Sequence, residues 1–323
     1  MARVTVVLLA AFGFFGLASV SLAQPAKLTV TATSDQASDK SFAAALERAI
    51  KAAGGASAVS FRKEADVAQL IESLLRSDSS VALTDGASVR LATAGEKPFK
   101  VASQGLTVIA VLHSGAPVTP ILSSEFSAKH SVVNFDDALR RNLPIRVGVP
   151  EPGTVEGAVA ERVLAGVGAS AGTVKGAGGS WTAAPYATLV SDLKAKKLDL
   201  IVVARPPVDT AIADLMKTGN YRILSPSDPT ILAAGPRIGT ERVLMPSLYP
   251  SQNVIHTAAN VVVLAAGPRL AEKDGYALAK ALITSAKDIQ SSYKDFGPAL
   301  AVTRTQKLHP GAERYYRETG LLK

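Results

Sequence analysis

Apolar and polar residues alternate through Leu28–Thr33, a run rich in β-branched side chains, and this two-residue period predicts a strand. The period then changes. Phe42, Ala45, Leu46, Ala49, Ile50 and Ala53 recur at intervals of three and four, which places one apolar stripe along a helix over Ser41–Ala53, and Gly54-Gly55 ends it. Val67, Leu70, Ile71, Leu74 and Leu75 repeat the helical interval, and Val81–Leu83 is a short strand. Further along, the pattern predicts strands at about 107–112, 145–149, 198–204 and 260–265, with helices at about 155–166, 187–196, 208–217 and 274–289. Strands that alternate with helices favour a mostly parallel sheet with helices on its faces. No dinucleotide-binding glycine fingerprint is present, so the pattern divides better between two α/β lobes than into one nucleotide-binding domain.

In such sheets a ligand sits where strand carboxyl ends meet helix amino ends, because unpaired backbone N–H groups point there. The loops in that position are Ser34–Ser38, Thr84-Asp85-Gly86, Pro150–Thr154 and Arg205-Pro206-Pro207. Thr154 suits a helix N-cap and Gly153 lets a ligand approach the backbone, although an ordinary capped helix start uses the same residues. Arg205 closes a strand that is apolar except for Asp199. Its guanidinium suits either a ligand carboxylate or an acid of the same chain, Glu151 being the candidate by position.

Composition narrows the chemistry. At 47% hydrophobic and 19% charged, the chain has ample material for a buried core and is not a disordered type. It has no cysteine, which removes disulfides, thiolate nucleophiles and cysteine-held metal centres together. His113, His130, His256 and His309 stand far apart, so neither a metal site nor a cofactor is expected. Gly179-Ser180-Trp181 lacks the second glycine of a hydrolase elbow, and no carboxylate pair has catalytic spacing, so an enzyme is not expected. The net charge of +8 is scattered, with no basic run longer than Arg140-Arg141 or Lys196-Lys197, and reads as solubility rather than nucleic-acid binding. At the amino end, Arg3 precedes the apolar run Val4–Leu17, and Ser21 and Ala23 stand at −3 and −1 of a cut before Gln24. Residues 1–23 therefore read as a signal peptide, and the mature protein as soluble, exported and monomeric. The longest later apolar run, Val261–Ala266, is strand-sized.

Near the carboxyl end, Leu308-His309-Pro310-Gly311-Ala312-Glu313-Arg314-Tyr315-Tyr316-Arg317-Glu318-Thr319-Gly320 resembles the terminal signature of the TAXI family, the extracytoplasmic solute-binding proteins of one class of TRAP transporters. It reads as a helix started by Pro310, with Glu313–Arg317 and Arg314–Glu318 four residues apart. The resemblance extends to Gly148–Thr154, which keeps the spacing of the family's Pro-x-Ser-Gly-Thr loop, and to Tyr249-Pro250-Ser251-Gln252 with Thr257, Leu198–Pro207 and Lys217–Asn220. This chain departs from the family in three places. No glycine lies in Thr33–Ser38, Pro152 stands where the family has serine, and Asp85 is out of register with the family's aspartate.

What the resemblance implies is a two-lobed, type II-like periplasmic-binding-protein fold with a cleft between the lobes. Lobe 1 would comprise 24–110 plus 258–323, and lobe 2 would comprise 111–257. The ligand would be a small organic anion, a carboxylate or amino acid, captured by hinge closure and delivered to a TRAP membrane subunit. Thr33, Ser34 and Asp85 would face it from lobe 1, Gly153 and Thr154 from lobe 2, and Tyr249 and Gln252 near the crossing; Arg205, a feature of this chain and not of the family, would add a charged contact from lobe 2. The alternatives are an ABC-type binding protein for a sulfonate or thiamine-precursor-like ligand, and a non-transport sensor or interaction protein.

Overall fold

The computed structural model describes residues 27–33, 37–55, 58–77 and 80–323, so the leader with its cut after Ala23, and Ser34, lie outside the described residues. The chain runs β1 (Lys27–Ala32), α1 (Ala37–Ala52), β2 (Ala58–Lys63), α2 (Val67–Arg76), β3 (Ser80–Asp85) and α3 (Gly86–Ala94). The long β4 (Thr107–Ser123) follows, then α4 (Ser124–His130), α5 (Phe135–Arg140), β5 (Arg146–Val149), α6 (Val155–Gly166), α7 (Ala171–Gly176), β6 (Ser180–Ala183) and α8 (Tyr186–Lys194). Next come β7 (Leu200–Ala204), α9 (Thr210–Lys217), β8 (Tyr221–Ile223), α10 (Asp228–Ile238) and β9 (Glu241–Met245). The chain closes with β10 (Ile255–Ala266), α11 (Glu272–Thr284), α12 (Ala286–Ile289), α13 (Pro298–Ala301) and α14 (Pro310–Glu318).

The strands form two parallel groups joined by two long antiparallel strands. β2, β1 and β3 run parallel in one lobe, and β7, β5 and β6 in the other. β10 lies antiparallel between β3 and β4, and β4 pairs antiparallel with β7, so the hydrogen-bonded path is unbroken across the molecule. The strand expected over about 107–112 is longer than that, although Gly115, Pro117 and Pro120 lie in its second half. It continues to Ser123 for a local reason: Pro117 ends the pairing with β10, and Val118 begins the pairing with β7. A missing N–H is tolerated at that handover. Gly115 has φ +64, and a Cβ there would lie 2.1 Å from the Asn260 carbonyl oxygen, so only glycine lets the two crossing strands approach beside their register shifts.

Other elements had weaker signals. The helix expected over 274–289 is broken into α11 and α12 at Ser285. The segment Thr84-Asp85-Gly86, expected as a loop, is a direct strand-to-helix junction with Asp85 capping α3. α10 forms although Pro229 lies in its first turn, where a lost backbone donor costs little, and Pro236 lies near its end, three residues before the capping Gly239.

One apolar cluster packs α1 and the carboxyl-terminal helices on the first lobe, with Val30, Phe42, Leu46, Leu282, Phe296 and Tyr316 at its centre. Another, with Ile121, Leu189, Leu193, Ile201 and Leu215, belongs to the second. A third runs through both, from Leu70 and Leu91 to Val147, Val159, Leu200 and Ala234, because α10 packs on α6 and α3. α14 fastens the end of the chain: the buried Tyr316 hydroxyl donates to the Ile109 carbonyl at 2.9 Å, and His309 caps the helix through the Gly311 amide. Both ion pairs read from the sequence form, Glu313–Arg317 at 2.7 Å and Arg314–Glu318 at 3.7 Å.

Candidate functional site

A cavity of about 440 Å³ lies at the carboxyl ends of β1 and β3, where Thr33, Thr84 and Asp85 leave their strands. The first turn of α1 adds Asp39, β4 adds His113, Gly115 and Ala116, and β10 adds Asn260 and Val262. Tyr293 and Ser292 close one side, and Pro206, from the loop after β7, reaches in from the second lobe. Another concavity of about 420 Å³ surrounds the Arg146–Asp199 ion pair at the opposite ends of β5 and β7, where an α/β sheet does not gather ligands.

The polar groups on the cavity floor are largely held by one another. Asp85 Oδ1 accepts from the Ser88 amide at 2.7 Å and from Asn260 Nδ2 at 3.1 Å, while Oδ2 accepts from the Ser88 hydroxyl at 2.7 Å. Asn260 Oδ1 in turn accepts from the Ala87 amide at 3.0 Å. The Ala87 and Ser88 amides in the first turn of α3, which would otherwise attract an anion, are thus already bonded. The Gly115 amide donates to His113 Nδ1 at 2.7 Å, so the ring proton sits on Nε2, 3.5 Å from Asp295 Oδ1. The Tyr293 hydroxyl donates to Asp39 Oδ1 at 3.0 Å, and its own burial, with that carboxylate, pushes its ionisation far up.

Arg205 stands beside Pro206 but is held within its own lobe. Its Nε lies 3.5 Å from Asp209 Oδ2, its Nη1 lies 3.9 Å from Glu156 Oε2, and its guanidinium carbon is 4.7 Å from the centre of the Tyr186 ring. The acids beside it are therefore Glu156 and Asp209; the sequence had suggested Glu151. Burial raises the Glu156 carboxyl against the pull of Arg205, and its Oε1 is buried without a hydrogen-bond partner. Asp209 goes the other way: burial would raise it, but the Tyr186 hydroxyl, the Ile212 amide and Arg205 together hold it low.

The residues expected at the site separate on inspection. Thr33 and Asp85 line the cavity, and Arg205 is next to a residue that does. Thr154 is exposed and caps α6, accepting from the Gly157 amide at 3.0 Å and donating to the Glu151 carbonyl at 2.7 Å. Gly153, at φ +84, turns beneath the Lys97 side chain. The buried Tyr249 hydroxyl accepts from the Asp209 amide at 3.0 Å. Gln252 is buried in a turn, its Oε1 accepting from the Leu248 and Tyr249 amides and its Nε2 donating to the Pro246 carbonyl. Asp39, His113, Asn260 and Tyr293 were not anticipated. Only Asn260 had a signal: it is the polar residue heading the apolar run Val261–Ala266, as Arg205 closes its own strand.

Two lobes of parallel strands, joined by long crossing strands with a cavity at the strand carboxyl ends, define the fold of a periplasmic solute-binding protein. A TctC solute-binding protein from Polaromonas has this fold: it superposes with a TM-score of 0.53 at 13% identity, over 91% of this chain and 97% of that one. Residues 40–320 match the NMT1-like family, and the chain belongs to it. XAC2383 from Xanthomonas citri, solved with ATP, gives a TM-score of 0.49 at 11% identity over 92% of this chain and 97% of that one. PhnD1 from Prochlorococcus marinus, solved with methylphosphonate, gives 0.48 at 12% over 92% and 100%. No curated protein matches the chain. No described helix is long and apolar enough to cross a membrane.

Proposed function

We propose that this chain is an exported solute-binding protein that captures a small organic molecule in the 440 Å³ cavity and presents it to a membrane transport subunit. The observation that carries the reading is the position of that cavity, at the carboxyl ends of two parallel strands, with a wall residue from each lobe. The proposed contacts are Thr33 and Asp85 from lobe 1 and the Arg205–Pro206 corner from lobe 2. The proposed lobes are 24–110 with 258–323, and 111–257, exchanging at β4 and β10. Cleavage after Ala23 and release to the periplasm complete the reading, and the carboxyl-terminal resemblance favours a TRAP-type partner within it. Mass spectrometry of small molecules released on denaturing the purified protein tests it. A stoichiometric solute is expected, and its loss on Ala116→Trp, which fills the cavity, locates it. If no solute is released, and none from a broad metabolite library binds, the reading fails.

A small carboxylate is a second reading, favoured by one observation: Arg205 adjoins the cavity wall and its contacts with Asp209 and Glu156 are long. Such a ligand would have to draw the guanidinium from both acids. Arg205→Gln then weakens binding about tenfold or more, the worth of a charge-assisted hydrogen bond. If Arg205 is structural, affinity holds within about twofold while thermal stability falls.

A further inference from the structure

The lining of the cavity has a one-sided character that goes beyond its position. Among the described residues that form it, the formally charged side chains are the carboxylates of Asp39 and Asp85, with His113 beside them and neither lysine nor arginine. The donors at the floor already have acceptors in the chain: the Ala87 amide on Asn260, the Ser88 amide and the Asn260 carboxamide on Asp85, and the Gly115 amide on His113. Arg205, which precedes the lining Pro206 in the chain, lies between Glu156 and Asp209. Acceptor capacity is in surplus, since a carboxylate offers about four lone-pair sites and Asp85 receives three hydrogen bonds. The rest of the lining has the hydroxyls of Thr33, Ser38, Thr84 and Ser292, which can accept as well as donate, and apolar surface from Ala32, Leu83, Ala116, Val262 and the Tyr293 ring.

From this we infer, on the solute-binding reading above, that the cavity takes a small solute with an apolar body and one positively charged amine or quaternary ammonium group. An anion entering the same space would meet two carboxylates of its own sign, while the backbone and carboxamide donors of the floor are already bonded, and like charges repel. A cation meets the opposite situation. Its charge faces the carboxylates of Asp39 and Asp85, and its carbon atoms lie on the apolar part of the lining.

Calorimetric titration of the purified protein with choline, pentylamine, succinate and glutamate, at neutral pH and low salt, tests the charge directly. At least one of choline and pentylamine is expected to bind tenfold or more tightly than either acid, and to lose that advantage in Asp39→Asn. Should the variant fold poorly, raising the salt on the wild type reads the same charge: cation affinity is expected to fall. A tenfold preference for succinate or glutamate overturns the inference while leaving solute capture intact. Absence of binding by both cations overturns it as well. Failure of the solute-binding reading itself registers separately, as absence of any released or library solute.

Discussion

Gln252 has three partners within six residues of itself, so its carboxamide holds a turn. Replacing it by leucine leaves two amides and a carbonyl unpaired beside the buried Tyr249. Gln252→Leu is expected to cost roughly 1–3 kcal/mol of stability in urea denaturation, with solute affinity unchanged. Lost affinity at unaltered stability would instead place Gln252 at the ligand. Asp136 is a second polar group absorbed by the fold. Burial acts to raise its carboxyl, but the Ser227 hydroxyl, the Thr230 hydroxyl, the Ser227 amide and the charge of Arg140 outweigh it and hold the carboxyl below its ordinary value. Its folded pKa is therefore lower than its unfolded one. The stability it contributes is complete above the ordinary carboxylate range, near pH 4, and is lost as pH falls through the depressed value. Denaturation midpoints measured from pH 6 downward should fall less steeply in Asp136→Asn than in the wild type.

At the scale of elements, two glycines set how closely the lobes meet. A Cβ on Gly86 would lie 2.6 Å from the Gly239 carbonyl oxygen, and one on Gly239 would lie 2.7 Å from that of Gly86. These are backbone atoms, and α3 is fixed above the cavity by Asp85 and Asn260, so neither side yields cheaply. Gly86→Ala is expected to destabilise by about 1–3 kcal/mol, read as a lowered thermal midpoint. An unchanged midpoint would mean that α10 slides freely on α3. The same elements explain why the sequence reading of this region was incomplete. The α3 segment, GASVRLATA, has no strong apolar stripe, and its start is determined by Asp85 together with Asn260, which lies far along the chain.

For the whole molecule, the decisive feature is the apolar cluster that continues from the first lobe into the second through α3, α6 and α10. Two lobes joined only by crossing strands would unfold separately; lobes that share a core do not. Scanning calorimetry is expected to show one transition, with calorimetric and van't Hoff enthalpies in agreement. Two resolved transitions would show that the shared cluster contributes little to cohesion.

What the sequence determined by itself is local and periodic. The stripe of Phe42, Leu46 and Ile50 placed α1, Val155–Gly166 appeared where it was expected, and the α14 ion pairs followed from four-residue spacing. Strand-helix alternation was enough to indicate a two-lobed α/β fold, because each amphipathic element must bury its stripe against a sheet. The tertiary structure alone decided the length of β4, since strand pairing across the two lobes overrode Pro117 and Pro120. It also decided which polar residues face the cavity. Thr33 and Asp85 were legible because they end strands, whereas Tyr249 and Gln252 matched a pattern, but the Tyr249 hydroxyl accepts from the Asp209 amide at the start of α9 and Gln252 holds its own turn. Asp39, His113, Asn260 and Tyr293 meet only when β10 lies between β3 and β4, a juxtaposition of distant segments that no local period encodes.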